Sequence, residues 1–243
     1  FDVDEEHIGE AVSSMKTLGI AGANISMPNK TAIIEYLDYV SEEARFCNAV
    51  NTVVNKEGRL YGYNTDIFGV EMAIKDLGVD VSTSKVCIGQ AVLYALARNN
   101  VKKVSVFVRK QSMETRKAYI DKIRNSFNID VKIYIAEDKA LLSKLVNEAD
   151  LLINATKLGM GQDIDKNPLD DKIKLPKHIC ILDLIYNPGE TKLLERAKRE
   201  ACTKYSNGLP MLVYQGVKAF EYFTDKQIDI SYIFTRLENA FKI

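Results

Sequence analysis

The sequence of 243 residues predicts an α/β protein, in which a smaller α/β part precedes a doubly wound parallel sheet. Two observations lead to this prediction. From residue 85 onward, short apolar runs rich in β-branched residues alternate with helical segments, a pattern that favours parallel strands joined by right-handed crossovers. Residues 1–80 alternate as well, but two of their expected strands are joined by the short connection 55–58, which indicates a hairpin.

The elements of the first part follow from the spacing of apolar residues and from proline and glycine. Apolar residues recur at helical spacing from Ile8 to Leu18, and Pro28 stands where the start of a helix tolerates proline. The elements expected here are a helix over 8–18, a strand at 22–26, a helix from Pro28 continuing over 31–37, strands at 50–54 and 60–63 joined by 55–58, and a helix at 65–77.

The second part repeats strand and helix in order. Its expected strands are 85–88, 104–108, 131–135, 151–153 and 179–183, and its expected helices are 91–98, 114–127, 140–147, 191–200, 211–223 and 230–241. Residues 78–84 are polar and rich in turn formers, so we expect the domain boundary there. The predicted domains are residues 1–78 together with about 216–243, and residues 79–215.

Composition and charge exclude several classes of protein. Lys plus Arg and Asp plus Glu both number 33, and this net charge of zero argues against a nucleic-acid partner. The longest apolar runs are far shorter than the ~18 residues of a membrane span. Four isolated cysteines are expected to be free thiols in a reducing cytoplasm. The two histidines, His7 and His178, have no neighbour at metal-ligand spacing, so we expect no metal site.

Polar residues gather where strands end, which is where α/β proteins place their ligands. Taken singly, Lys30 is best explained as a solvated lysine and Asp66 as an acid that complements a helix dipole. Together they could form a charged pair that gives a proton to a substrate oxygen. The amides of Asn51 and Asn64 suit vicinal hydroxyl groups, so the residues indicate a small polyhydroxylated substrate.

Six ordered segments of the chain resemble the shikimate dehydrogenase family, including its quinate/shikimate dehydrogenase branch. The segments are Gly-Ala-Asn-Ile-Ser-Met-Pro-Asn-Lys at 22–30, Asn-Ala-Val-Asn-Thr-Val-Val at 48–54, Gly-Tyr-Asn-Thr-Asp at 62–66, Asn-Ala-Thr at 154–156, Tyr-Asn-Pro at 186–188 with Thr191, and 207–215. The resemblance implies an N-terminal α/β substrate domain, a Rossmann-type NAD(P)-binding domain, and C-terminal helices that pack on the N-terminal domain.

The activity that the resemblance implies is the reversible, NADPH-dependent reduction of 3-dehydroshikimate to shikimate in chorismate and aromatic amino-acid biosynthesis. Lys30 would be the acid/base residue and Asp66 its partner. The expected substrate-binding residues are Ser26, which stands where the family usually has Thr, with Asn51, Tyr186 and Gln215. The expected partner is this small molecule alone, and the sequence leaves monomer and homodimer open.

The cofactor expected from the resemblance is NADP. Arg109 follows a strand at the position of the family's ribose-binding Asn-Arg pair, and a guanidinium there favours the 2′-phosphate. Gln111 stands where the quinate branch tends to carry an acid, which also favours NADP, although NAD use stays open. The expected cofactor-binding residues are Gly89 and Arg109, together with Thr156, Leu184, Gly208 and Met211, which are expected at the nicotinamide end.

The sequence departs from the family pattern at two places. The family has Gly-x-Gly-Gly-Ala after the first strand of the nucleotide domain, whereas only Gly89 is found here, and no Ser-x-Ser element precedes Phe1. We expect that residues are missing from the sequence at both places. The alternative is a non-catalytic paralogue that only binds a ligand.

Overall fold

The first residues of the chain build a small mixed sheet flanked by short helices. This part of a computed structural model, which describes residues 1–88 and 92–241, contains α1 (Ile8–Thr17), β1 (Gly22–Asn24), β2 (Tyr39–Val40), α2 (Glu42–Cys47), β3 (Thr52–Lys56) and β4 (Arg59–Tyr63). The strand order is β1-β3-β4-β2. The β1/β3 and β3/β4 pairs are antiparallel, and β2 is parallel to β4.

Local sequence explains why these elements form. The helical spacing predicted for α1 is confirmed: Ile8, Val12 and Met15 lie on one buried face. The hairpin between β3 and β4 is also confirmed, and it turns through Glu57 and Gly58, whose φ angles are 53° and 83°. Two residues with positive φ are what a tight hairpin turn of this hand requires.

The helix predicted from Pro28 onward is wrong in type. Residues 27–31 form turns, and only a 3₁₀ helix follows at Ala32–Tyr36. The reason is a tertiary hydrogen bond: the Lys30 carbonyl accepts from the Val50 amide at 2.8 Å, while the Ile34 amide donates to Thr31, three residues back. The segment around Lys30 is therefore bonded to the residues just before β3 and does not continue as an α-helix.

The central part of the chain forms a parallel sheet with intervening helices. The elements are α3 (Asp66–Asp76), β5 (Lys85–Ile88), α4 (Leu93–Arg98), β6 (Lys103–Val108), α5 (Met113–Ser126), β7 (Asp130–Ile135), α6 (Lys139–Asn147), β8 (Leu151–Asn154), β9 (Cys180–Asp183), α7 (Lys192–Arg199) and β10 (Lys204–Ser206). In the described residues the strand order is β10-β9-β8-β5-β6-β7, with every pair parallel. The order reverses between β5 and β8, so the predicted doubly wound sheet is confirmed.

Two helices end the chain, α8 (Leu209–Thr224) and α9 (Ile230–Phe241). Helix α8 packs on the N-terminal part, as expected: its Tyr222 ring stacks on Tyr63 with centroids 4.1 Å apart, and its Tyr214 meets Phe68 edge-on. Phe223 covers Gly22 so closely that a Cβ there would lie 2.5 Å from its ring. Within the part of the chain that the structure describes, no helix has the length and apolarity to cross a membrane.

The chain divides into two compact units. Unit 1 comprises Phe1–Gly69 and Val213–Ile243, and unit 2 comprises Val70–Leu212. Each has a core of its own. The core of unit 1 is formed by Ile8, Val12, Met15, Ile33, Val40, Ala44, Val50, Val53 and Leu60. The core of unit 2 includes Leu142, Val146, Leu152, Ile173, Ile179, Ile181, Leu193, Leu194 and Ala197.

Candidate active site

A lysine and an aspartate form the centre of the polar group in unit 1. Lys30 lies in the turn that follows β1, and Asp66 is the first residue of α3, three residues after β4. The Lys30 Nζ donates to Asp66 Oδ2 at 2.6 Å, and the two side chains are 23% and 31% exposed. Because both charges are partly withdrawn from water, their attraction is stronger than that of a surface pair.

Asn51 joins this pair from the start of β3. Its side chain is buried; Nδ2 donates to Asp66 Oδ1 at 2.8 Å, and Oδ1 accepts from the Thr65 amide at 2.8 Å. The two oxygens of Asp66 therefore receive hydrogen bonds from two different side chains. This arrangement fixes the direction of the carboxylate and, through it, the position of the lysine ammonium.

Gln215 reaches the same group from α8, far along the chain. Its Oε1 lies 3.4 Å from Thr65 Oγ1 and 3.5 Å from Asn51 Nδ2. Ser26 is exposed in the turn that also carries Lys30, and its hydroxyl makes only a long contact, 3.5 Å, with the Met27 carbonyl. Of the predicted residues, the structure brings Lys30, Asp66, Asn51 and Gln215 into one hydrogen-bonded group.

Asn64 has a different role from the one that its amide suggested. Its Nδ2 donates to the Ala49 carbonyl at 3.0 Å, and its Oδ1 accepts from the Asp66 amide at 3.1 Å. Both ends of the side chain thus bind backbone, and the second bond satisfies an amide in the first turn of α3. Asn64 holds the start of the helix that presents Asp66.

Two buried threonines complete the group, and sequence reasoning did not single them out. Thr52 and Thr65 are 0% and 1% exposed, and their hydroxyl oxygens lie 3.3 Å apart. Thr52 Oγ1 donates to Asn51 Oδ1 at 3.0 Å, and Thr65 Oγ1 accepts from Asn51 Nδ2 at the same distance. The available signal was their place in the 48–54 and 62–66 segments, beside Asn51 and Asp66.

The remaining predicted residues follow the carboxyl ends of strands in unit 2, where doubly wound sheets bind nucleotides. Arg109 directly follows β6 and is exposed, and its side chain makes no ion pair or hydrogen bond among the described residues. Thr156 and Leu184 follow β8 and β9, and Tyr186 is 51% exposed in the loop after β9. Met211 lies in the first turn of α8, and Gly89 lies outside the described residues.

The residues in this part of unit 2 fit a dinucleotide. A Cβ on Gly208 would lie 2.1 Å from the Leu184 carbonyl oxygen, so only glycine allows this close approach of the two backbone segments. Arg109 leaves a guanidinium available for a phosphate. The doubly wound sheet of unit 2 and the lysine–aspartate pair of unit 1 define a class of protein, the nicotinamide-dependent oxidoreductases.

Comparison with known proteins identifies the family. The model of the shikimate dehydrogenase substrate binding domain matches residues 1–53, and that of the shikimate 5'-dehydrogenase C-terminal domain matches residues 208–233. A protein of Streptococcus pneumoniae named shikimate dehydrogenase (NADP(+)) is 35% identical over 100% of this chain and 86% of its own length. The chain belongs to the shikimate dehydrogenase family.

Solved structures agree with this assignment. Shikimate 5-dehydrogenase from Listeria monocytogenes, in complex with shikimate and NAD, has a TM-score of 0.89 and 34% identity, covering 98% of this chain and 84% of its own. Quinate dehydrogenase from Corynebacterium glutamicum, in complex with NAD, has a TM-score of 0.82 and 30% identity, covering 92% and 79%.

Proposed function

We propose that the protein catalyses the reversible NADP-dependent reduction of 3-dehydroshikimate to shikimate. The observation that carries the proposal is the 2.6 Å ion pair between Lys30 and Asp66, held beside Asn51 and Gln215. The names of the S. pneumoniae and L. monocytogenes relatives support this substrate. NADPH, when bound, supplies the hydride for the reaction.

The side chains of unit 1 would perform the proton chemistry. As negative charge develops on the carbonyl oxygen of the substrate, the Lys30 ammonium gives it a proton, and in the reverse direction Lys30 takes that proton back. Asp66 keeps the ammonium in place. Asn51 and Gln215 offer amide groups, which both donate and accept hydrogen bonds, to the ring hydroxyls, and Ser26 offers a hydroxyl.

The proposal divides the binding tasks between the units. Unit 1 would bind the substrate, and unit 2 would bind the cofactor through Arg109, Thr156, Leu184 and Gly208, with Gly89 and Met211 as further contacts. Tyr186 would contact the substrate. We further propose a cytoplasmic enzyme of chorismate and aromatic amino-acid biosynthesis, acting as a monomer or a homodimer.

A steady-state assay tests the function. The purified protein is offered shikimate or quinate with NADP⁺ or NAD⁺, and the absorbance of the reduced nucleotide is followed. We expect the highest kcat/KM for shikimate with NADP⁺. Turnover of quinate with NAD⁺ above that of shikimate would favour the quinate branch, and a lack of turnover in all four combinations would favour the non-catalytic paralogue.

A lysine variant tests the role of Lys30. Lys30→Ala should lower kcat by about 10²–10⁴-fold, since a positioned general acid contributes that much, and should leave NADPH affinity unchanged. Lys16→Ala is the matched control, because Lys16 also forms an ion pair in unit 1, with Asp38 at 3.2 Å, but outside the polar group. Wild-type turnover by Lys30→Ala would refute the assigned role.

A further inference from the structure

A carboxylate at the end of β9 is fully buried. Asp183 is 0% exposed and makes no ion pair with any residue that the structure describes. Burial raises the pKa of its carboxyl above the usual value, even though hydrogen bonds from Thr191, the Ile185 amide and Asn154 each lower it. A buried carboxylate without a counter-ion is costly, so its hydrogen-bond donors must be in place.

Three separate segments of unit 2 supply those donors. Asn154, opposite Asp183 at the end of β8, donates from Nδ2 to Oδ1 at 2.9 Å, and the Ile185 amide donates to the same oxygen at 3.2 Å. The Thr191 hydroxyl donates to Oδ2 at 2.7 Å and accepts from the Leu194 amide, which caps α7. The Asp183 side chain is therefore hydrogen-bonded to β8, to the loop after β9 and to the start of α7.

The contacts continue from Asp183 to the residues expected at the nicotinamide end of the cofactor. Asn154 Oδ1 accepts from the Thr156 amide at 3.0 Å and from its hydroxyl at 2.8 Å. On the other side, the Ile185 carbonyl accepts from the Gly208 amide at 2.9 Å. Thr156 and Gly208 thus each bond directly to a residue that donates a hydrogen bond to Asp183.

We infer that Asp183 is a positioning residue for the nicotinamide end of NADP, acting through Asn154 and Ile185 on Thr156, Leu184 and Gly208. The inference rests on the proposed function. A carboxylate accepts at both oxygens and strengthens each bond by its charge, so it fixes three segments at once. An amide of the same shape keeps one acceptor and loses the charge, which loosens the segments without opening a cavity.

The first test replaces the carboxylate. Asp183→Asn should raise the Kd for NADPH, measured by nucleotide fluorescence without substrate, and the KM for NADPH by about tenfold, as expected for the loss of one charged hydrogen bond. The KM for 3-dehydroshikimate should stay within about twofold, since the binding residues of unit 1 keep their partners. The matched control is Asp150→Asn, at the opposite end of the sheet, where the Asp150 carboxylate accepts from the Lys85 amide.

A second pair of variants separates positioning from folding. Thr191→Val keeps the shape but removes the donor to Asp183 and should also raise the Kd for NADPH, whereas Thr191→Ser keeps the hydroxyl and should bind like the wild type. This pair decides the question if Asp183→Asn does not fold. Wild-type NADPH binding in Asp183→Asn or Thr191→Val, with only a lower Tm, would overturn the inference.

The binding measurement distinguishes the inference from the proposed function. If the wild type binds NADPH but does not oxidise shikimate, the proposed function fails, and the variants still decide whether Asp183 positions the nucleotide. If the wild type binds neither NADPH nor NADH, the inference fails as well.

Discussion

At the scale of single residues, one side chain, Asn51, makes several of the hydrogen bonds that hold the polar group of unit 1 together. Its buried side-chain amide forms hydrogen bonds with Asp66, Thr65 and Gln215. A buried donor that loses its acceptor costs about 1–3 kcal/mol, so the site and the stability of unit 1 are coupled through this side chain.

Replacing Asn51 tests that coupling. Asn51→Ala should lower the free energy of unfolding by about 1–3 kcal/mol, because the buried Thr65 amide loses its acceptor, and should also reduce kcat/KM for shikimate. Urea denaturation and the shikimate assay measure the two effects. Asn55→Ala is the control: Asn55 bonds the hairpin turn at Gly58, so we expect lower stability with unchanged kcat/KM. Equal activity losses in the two variants would contradict the prediction.

Gly208 offers a second residue-scale prediction. Gly208→Ala places a Cβ against the Leu184 carbonyl oxygen, and since backbone must then move, we expect a lower Tm and weaker NADPH binding. Gly216→Ala, inside the helix α8 that begins directly after Gly208, meets nothing within 4 Å and should keep or raise the Tm, because alanine favours helices over glycine by about 1 kcal/mol. A tolerated Gly208→Ala would show that the two backbone segments can separate without cost.

At the scale of elements, α7 is attached to the segment before β9 by a charge pair between a buried arginine and a partly exposed glutamate. Arg196 is 1% exposed; its Nε donates to Glu200 Oε1 at 2.7 Å, and Glu200 Oε2 accepts from the Leu175 amide at 2.7 Å. Burial alone would raise the pKa of Glu200, but the hydrogen bonds from Leu175 and Arg196 outweigh it and lower the pKa. The ionised form is thus the one that the fold prefers.

The sign of this pKa shift gives a pH prediction. Ionised Glu200 stabilises the fold above its unfolded pKa of about 4.3, and this contribution is lost as the pH falls through the lower pKa of the folded state. Glu200→Gln should therefore be less stable at neutral pH, by about 1.5–3 kcal/mol as expected for weakened charged hydrogen bonds, and should lose less further stability in acid. Urea unfolding across this pH range measures both effects. The exposed Glu195→Gln, paired with Lys192, should change little.

Elements with a clear hydrophobic periodicity could be predicted from the sequence, whereas short elements without such a pattern could not. The α9 bounds match their prediction, and β6 and β7 each begin one residue before theirs. The short strands β2 and β10 were missed, because two or three residues carry no periodic signal and each strand is held by its parallel neighbour. The helix α2 was also missed, although Ser41 caps it by accepting from the Ala44 amide.

The candidate site shows the same limit. The polar motifs at strand ends predicted that Lys30 and Asp66 meet, since both follow strands of one sheet. Thr52, Thr65 and Asp183 could not be chosen from the sequence, because a buried threonine or aspartate is recognised only by the partners that the fold brings to it. Their roles come from hydrogen bonds across strands, for which the chain order gives no direct signal.

At the scale of the whole molecule, two cores predict two separable responses to ligands. NADP⁺ at about 100 times its Kd should add about 2.7 kcal/mol to the free energy of unfolding of the part that binds it. Hydrogen exchange followed by mass spectrometry should show slowed exchange around β8 and β9 with NADP⁺ alone, and around β3 and β4 with shikimate alone. Equal protection of both units by either ligand would contradict the assignment of substrate to unit 1 and cofactor to unit 2.

Unit 1 consists of two separate stretches of the chain, and this affects the order in which the two units fold. Unit 2 is one continuous stretch, Val70–Leu212, whereas unit 1 needs the segment from Val213 onward, which includes Gln215 and the Tyr222 ring on Tyr63. During synthesis from the N-terminus, unit 2 can thus complete its core while the earlier residues still await their partners. The segment that is translated first, residues 1–69, therefore completes its core last. If synthesis stops before α8, we expect a folded unit 2 joined to an incomplete, aggregation-prone N-terminal segment.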